Sequence, residues 1–296
     1  MPEHGASPYP HLYNRLIAIT RPEPFATVLA SHLHSLGAKT LVAPLTQLSL
    51  LAPDPEDVRV LHGWLIGAQK YLNQAQNPYW IILTSPNAVR FTQQWFESAK
   101  LDWSLLKACQ VAVQGPGTKR LAQQAGLNVV VEANPHSSEG MAQTLLRYIR
   151  QSGSPHPPYF QWFRSALAPA KLIELIDQGL NKQTGISHRA VYDTVPAPAS
   201  PATDGLIEVL GNHQLDTLLF MSPSAVHALT KLWPSSAPDL AQTLSHAKLV
   251  VASVGPSTSD ALLNIGVKAF LQAPVHSLDG ILGTLDTYYS QLEPVK

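Results

Sequence analysis

Short apolar runs alternate along the chain with stretches whose apolar positions fall three and four residues apart. LIAIT at 16–20, YWIILT at 79–84, VAVQ at 111–114, VVVEA at 129–133 and YFQWFR at 159–164 each predict a strand buried on both faces, as in a parallel sheet. Phe25, Val28, Leu29, Leu33 and Leu36 predict a helix that Gly37 ends, and Leu172, Ile176 and Gly179 predict a similar one after the 159–164 strand. Residues 40–50 (TLVAPLTQLSL) read as a second strand broken by Pro44, residues 53–57 as a turn and 58–76 as a helix. ISHRAVYDTV at 186–195 alternates as a strand. Residues 136–149 predict an amphipathic helix, opened by Ser and Glu spaced for an N-terminal cap, and residues 276–292 predict a last helix. Residues 1–15 read as a loose extension with little to bury, 151–158 as a loop and 196–203 as a linker. Strands alternating with helices throughout predict α/β architecture, with parallel sheets flanked by helices on both faces.

Part of this pattern occurs twice. LTSPNAV at 83–89 returns as FMSPSAV at 220–226, and residues 111–145 align without a gap to 251–285, with 12 of the 35 positions identical. Gly115, Thr118, Gly126, His136, Ser137, Gly140 and Leu145 recur as Gly255, Thr258, Gly266, His276, Ser277, Gly280 and Leu285. Two unrelated amphipathic segments would share apolar character but not a Gly-Pro-x-Thr turn, so the chain carries a duplicated α/β unit.

The repeated turns stand where strands give way to helices, the end at which open parallel sheets bind ligands. First-turn amides lack intrahelical partners and face the positive end of the helix dipole, which favours carboxylate or phosphate oxygens. Helix starts at Ser85, Gly115, Ser222 and Gly255, with Ser137 and Ser277 as further ones, would together suit a ligand with many carboxylates. The same residues also serve as plain helix caps, and Gly115 and Gly255 equally suit a special backbone conformation.

At 296 residues the chain has room for two domains. Lys+Arg and Asp+Glu are 20 each, so there is no basic excess of the kind expected for work on nucleic acid. Charged residues make up 14% and hydrophobic ones 45%. Cys109 is the single cysteine, which excludes an intrachain disulfide and a cysteine-based metal site. His32 and His34 are two apart and diverge on a helix, and no HExxH, phosphate loop, dinucleotide fingerprint or Gly-x-Ser-x-Gly elbow occurs. With no signal-peptide pattern and no apolar run long enough to span a bilayer, the expected setting is the cytoplasm, without a membrane or nucleic-acid partner.

In this order the motifs resemble the uroporphyrinogen-III synthase family. They are ITRP at 19–22, PLTQL at 44–48, LTSPNAV at 83–89, VAVQGPGT at 111–118, HSSEG at 136–140, VYDTVP at 191–196, FMSPSAV at 220–226, SVGPST at 253–258 and HSLDG at 276–280. The resemblance implies two similar α/β domains joined by a two-stranded linker with a cleft between them. Domain 1 would be discontinuous, 16–45 with 195–296, and domain 2 would be 46–194, with 1–15 as an N-terminal extension. It implies a monomeric lyase, needing no cofactor, that cyclises linear hydroxymethylbilane to uroporphyrinogen III with loss of water and inversion of the last ring through a spiro intermediate.

The same resemblance assigns roles to residues. Tyr192, in the linker motif, would be the general acid, since tyrosine hydroxyls keep their proton at neutral pH. Arg21, Ser85, Pro86, Asn87, Gly115, Thr118, Ser137, Arg164, Ser222, Pro223, Ser224, Gly255 and Thr258 would contact the substrate. FRSALAPAK at 163–171 departs from the family, in which a glycine more often follows the arginine. The rival reading is a non-catalytic two-domain binding or sensor protein for an anionic small molecule.

Overall fold

The computed structural model describes residues 8–72, 74, 77–181 and 186–292. In chain order the first elements are β1 (Leu16–Ile19), α1 (Phe25–Ser35), β2 (Lys39–Val42), β3 (Thr46–Leu50) and α2 (Pro55–Gln69). They are followed by β4 (Tyr79–Leu83), α3 (Pro86–Ser98), β5 (Gln110–Val113), α4 (Pro116–Gln124), β6 (Val129–Glu132) and α5 (Ser138–Ser152). Next come β7 (Tyr159–Ser165), α6 (Lys171–Gly179), β8 (Ile186–Pro196) and α7 (Pro201–Gly211). The last are β9 (Thr217–Phe220), α8 (Pro223–Leu232), α9 (Leu240–Leu244), β10 (Val250–Ser253), α10 (Pro256–Asn264), β11 (Leu271–Gln272) and α11 (Leu278–Leu292).

The described chain clusters into two compact units: unit 1 runs to Leu48 and resumes at Val195, and unit 2 is Ser49–Thr194. Unit 1 holds a five-stranded sheet in the order β11-β10-β9-β1-β2, every pair parallel. The six-stranded sheet runs β3-β8-β7-β4-β5-β6, with the pairs from β8 to β6 parallel. Strand order reverses between β9 and β1 in one sheet and between β4 and β7 in the other. Both sheets share one doubly wound arrangement, with β7 and β8 standing where β1 and β2 stand. The chain passes from one unit to the other within the neighbouring strands β3 and β8.

Both faces of these strands are covered, which is why they read as continuous apolar runs. In β1, Ala18 packs with α7, α8 and α10 residues such as Leu206, Val226 and Leu262, while Ile17 and Ile19 pack with Leu29, Leu33, Ile281 and Leu285 from α1 and α11. In unit 2, Trp80, Ile82, Phe160 and Trp162 meet Met141, Leu145, Leu172 and Ile176 from α5 and α6. The repeated glycines after α4 and α10, Gly126 and Gly266, have φ of +78° and +87°, a left-handed conformation that closes each helix. No helix among the described residues is long and apolar enough to cross a membrane.

Several boundaries differ from the sequence reading. Residues 1–7 lie outside the described residues, but the rest of the supposed loose extension is tied down. Leu12 is fully buried against α1 and α11 residues, and Asp286 accepts from the backbone N–H of His11 at 2.8 Å. Residues 40–50 are two strands in different sheets, not one. Ala43 and Leu45 still donate to Ile19 and Thr20, but Pro44 between them has no N–H to give and the chain leaves for the second sheet. The helix expected over 58–76 starts at Pro55, because Asp54 caps it and Pro55 takes the first helical position, and it stops at Gln69. The loop expected at 151–158 loses its start to α5, which runs to Ser152. The linker at 196–203 is shortened by α7, whose start at Ser200 and Thr203 forms a reciprocal capping box.

Candidate active site

The helix starts predicted to matter all lie at the carboxyl ends of strands. Ser85, Ser137, Ser222 and Ser277 cap α3, α5, α8 and α11, each Oγ accepting from the backbone N–H three residues on, at 3.0, 3.1, 3.4 and 3.1 Å. Pro86 and Pro223 fill the first helical position after Ser85 and Ser222, and Asn87 sits half-buried in the same turn. Gly115 and Gly255 cap α4 and α10 without any side-chain acceptor. With proline next in line, the amides on offer there are those of Gly117 and Thr118 at α4 and of Ser257 at α10, since the Thr258 N–H donates to the Gly255 carbonyl at 3.1 Å. The serine-capped helices and α10 have each satisfied one such donor internally, whereas α4 has not, so α4 is the stronger anion site.

Gly115 and Gly255 do not need glycine for their conformation. Their φ values of −164° and 174° are extended backbone. What distinguishes them is a neighbour: a Cβ would stand 3.6 Å from the His136 ring at Gly115 and 3.0 Å from the His276 ring at Gly255. The sequence reading named neither histidine as a site residue, although their recurrence 140 positions apart was a visible signal. Gly140 and Gly280 recur for a different reason, since a Cβ on either would run into the backbone carbonyl of Pro135 or Val275. Thr118 and Thr258 are buried in the first turns of α4 and α10, at 3% and 1% exposure, and the Thr258 amide is already held by the Gly255 carbonyl.

In unit 2 the structure joins Ser85 to Tyr192. The two hydroxyl oxygens are 3.2 Å apart, Tyr192 is 7% exposed, and its ring stacks on Phe91 at 4.8 Å between centroids. The register of β7 against β8 shifts by one residue between Arg164 and Ser165, so that Ser165 pairs with Tyr192 instead of Val191. Such irregularities re-aim side chains at strand ends. Ala166 N–H then donates to the Tyr192 carbonyl at 2.8 Å, which fixes the backbone there. Phe91 is a second residue that the sequence did not single out.

The two arginines differ. Arg164 donates through one guanidinium nitrogen to the carbonyls of Ser165, Ala166 and Ala168, at 3.2, 3.4 and 2.6 Å, and its Nε approaches His188 Nδ1 at 3.4 Å. It pins the loop after β7. Burial, followed by the charges of Arg164 and Arg189, lowers the pKa of His188. Arg21, after β1, lies over the Phe25 ring at 5.2 Å, and among the described residues no carboxylate pairs with it. Partial burial pulls its pKa below the usual arginine value, the mark of a cation short of a counter-charge. In unit 1, Ser222 Oγ turns to Ser224 Oγ at 2.9 Å, and among the described residues no tyrosine hydroxyl bonds to Ser222 as Tyr192 does to Ser85.

Comparison with known proteins gives a consistent picture. The family model described as uroporphyrinogen-III synthase HemD matches residues 27–283. A uroporphyrinogen-III synthase of Synechococcus elongatus is 27% identical over 214 residues, which cover 72% of this chain and 76% of that protein. A Methanothermobacter thermautotrophicus protein, named provisionally as a uroporphyrinogen-III synthase, is 26% identical over 261 residues, or 86% of this chain and 90% of that one. Among solved structures, a mutant uroporphyrinogen III synthase from the extremely thermophilic bacterium Thermus thermophilus matches 94% of this chain and 100% of its own with a TM-score of 0.50 and 18% identity, a likeness of fold.

Proposed function

We propose that this chain, which belongs to the uroporphyrinogen-III synthase family and is thereby a cyclising lyase, converts linear hydroxymethylbilane to uroporphyrinogen III. The observation that carries the reading is the family match from 27 to 283, which takes in the helix starts of both units. In this reading carboxylates of the substrate are received by first-turn amides, most of all at α4, with Arg21 as a supplementary cation. A protein of zero formal charge would hold a polyanion in this way.

The chemistry asks for one acid and for positioning. Tyr192 gives its phenolic proton to the hydroxyl of the hydroxymethyl group. The carbon–oxygen bond breaks with its electron pair, and water leaves. The cation that remains is stabilised by the adjacent pyrrole nitrogen. The last ring is attacked at the carbon that already bears its bridge, forming the spiro intermediate, and that ring is inverted when the spiro centre opens and recloses. A proton lost from carbon restores the aromatic pyrrole and balances the one donated, so there is no net redox change. Direct closure needs no inversion, and the folded pose of the substrate must therefore favour the harder path, an effect of orientation. A monomer acting on a small molecule in the cytoplasm is the setting of this reading.

The test is to incubate the protein with freshly prepared hydroxymethylbilane and resolve the product isomers. We expect uroporphyrinogen III at rates well above spontaneous closure. Formation of the uninverted isomer alone, with ligand binding retained, would overturn the proposal in favour of a binding or sensor protein.

A further inference from the structure

We infer that Ser85 is a positioning residue for Tyr192: its hydroxyl relays the positive end of α3 to the phenolic oxygen and steadies the charge that appears there when the proton leaves. The inference rests on Tyr192 being the acid, as proposed above. A serine hydroxyl has one proton to donate and two lone pairs. In Ser85 one lone pair is engaged by the Ala88 N–H at 3.0 Å, in the first turn of a 13-residue helix. Its other contact is Tyr192 Oη at 3.2 Å, where either hydroxyl can donate, and among the described residues Tyr192 Oη has no other hydrogen-bond partner.

With Ser85 donating, the tyrosine's own proton is left for the ligand. The ring cannot drift from this arrangement. It is stacked on Phe91 at a 20° interplanar angle and nearly buried, and its backbone is held by Ala166. As the phenol ionises, its oxygen meets a donor already polarised by a helix N-terminus, and hydrogen bonds to charged acceptors are about twice as strong as neutral ones. The contact is not a by-product of the Ser-Pro helix start, because the repeated Ser222 turns to Ser224 instead. The charged or titratable side chains on the elements that pack around Tyr192 are Arg90 and Glu97 on α3, Tyr159 and Arg164 on β7, and His188, Arg189 and Asp193 on β8. Arg164 is engaged by carbonyls, Arg189 by Asp57 at 2.8 Å, and an Asp193 oxygen accepts from Thr194 N–H at 2.7 Å.

The experiment compares wild type with Tyr192→Phe, Ser85→Ala, Ser85→Thr and Ser85→Asp. The readouts are kcat, KM, isomer purity, the alkaline limb of the pH profile and the NMR titration of carbon-13-labelled tyrosine. Asp is as good a helix cap as Ser, so Ser85→Asp keeps the fold while removing the donated proton. We expect Ser85→Thr to stay near wild type. Ser85→Ala and Ser85→Asp should lose about tenfold or more in kcat with little change in KM. Their alkaline limb and their Tyr192 titration should both move to higher pH, by about one unit, because the ionised phenol has lost its donor. A loss confined to KM, with the Tyr192 titration unmoved, would overturn the inference and make Ser85 a substrate contact. A Tyr192→Phe enzyme of normal rate and isomer purity would instead remove the acid, and the catalytic role of Ser85 with it, even if Ser85→Ala still shifted the titration.

Discussion

Tyr289 of α11 carries its hydroxyl into the sheet of unit 1, where it donates to the Asp216 carbonyl at 3.0 Å and meets Thr217 Oγ1 at 2.6 Å. Burial pushes its pKa up to about 12, a rise that the Thr217 hydrogen bond partly offsets. The sign follows from where each state gives up its proton. Below pH 10 both states keep it, and the contribution is complete. Above 10 the unfolded chain releases it while the folded protein holds it to about 12, so stability falls across that window by up to about 2–3 kcal/mol. Denaturant titrations at pH 9 and 11.5 should show this slope in wild type and a shallower one in Tyr289→Phe. Equal slopes would show that Tyr289 does not set it. Of this site the sequence shows only a tyrosine on a helix, since its partners come from a strand 72 positions away. Tyr192 is comparable: motif resemblance picks out the residue, but Ser85, 107 positions distant, and the register shift that aims the side chain emerge only on folding.

For the elements, helix starts are the clearest features of this sequence. The Ser-Pro pairs at 85 and 222 and the Gly-Pro pairs at 115 and 255 open helices as expected, because a capping oxygen or small residue followed by proline settles the first turn locally. What each start offers a ligand depends on its cap, and the glycine-capped α4 leaves more donors free. Replacing Gly255 with Val is compatible with the extended backbone but pushes into the His276 ring at the start of α10. We expect product affinity to fall about tenfold in Gly255→Val and only about threefold in Arg21→Ala, measured by calorimetry with melting temperatures as the folding control. The reverse ranking would favour an arginine clamp over backbone recognition. Element ends were less legible. Asp54-Pro55 is a start signal of the same kind that the apolar spacing over 58–76 obscured. The division at Pro44 was legible as a break but not as a change of sheet, because the partner strands, β1 and β8, lie on opposite sides of it in the sequence.

Over the whole molecule, each unit carries its own set of helix starts at the carboxyl ends of its own sheet. If first-turn amides receive the carboxylates of the product, hydrogen exchange should slow at those starts. With saturating product under reducing conditions, we expect about tenfold slower exchange at Gly117, Thr118 and Ser257. Unchanged exchange at all three would count against backbone recognition of the carboxylates.

The sequence by itself determined the alternation of strands and helices, the doubling of the α/β unit and the helix starts. These depend on periods of two to four residues and on caps whose partners are three residues away, so the information is local. The resemblance of its ordered motifs also pointed to the family. The tertiary structure decided the order of the strands, in which β7 and β8 repeat the places of β1 and β2 although they follow β4–β6 in the chain. It also decided that Leu12 belongs to a core, that His136 and His276 lie on the turn glycines, and that Ser85 meets Tyr192. Each of these depends on segments far apart in the chain meeting when apolar faces are buried, and no short-range pattern records which faces will meet.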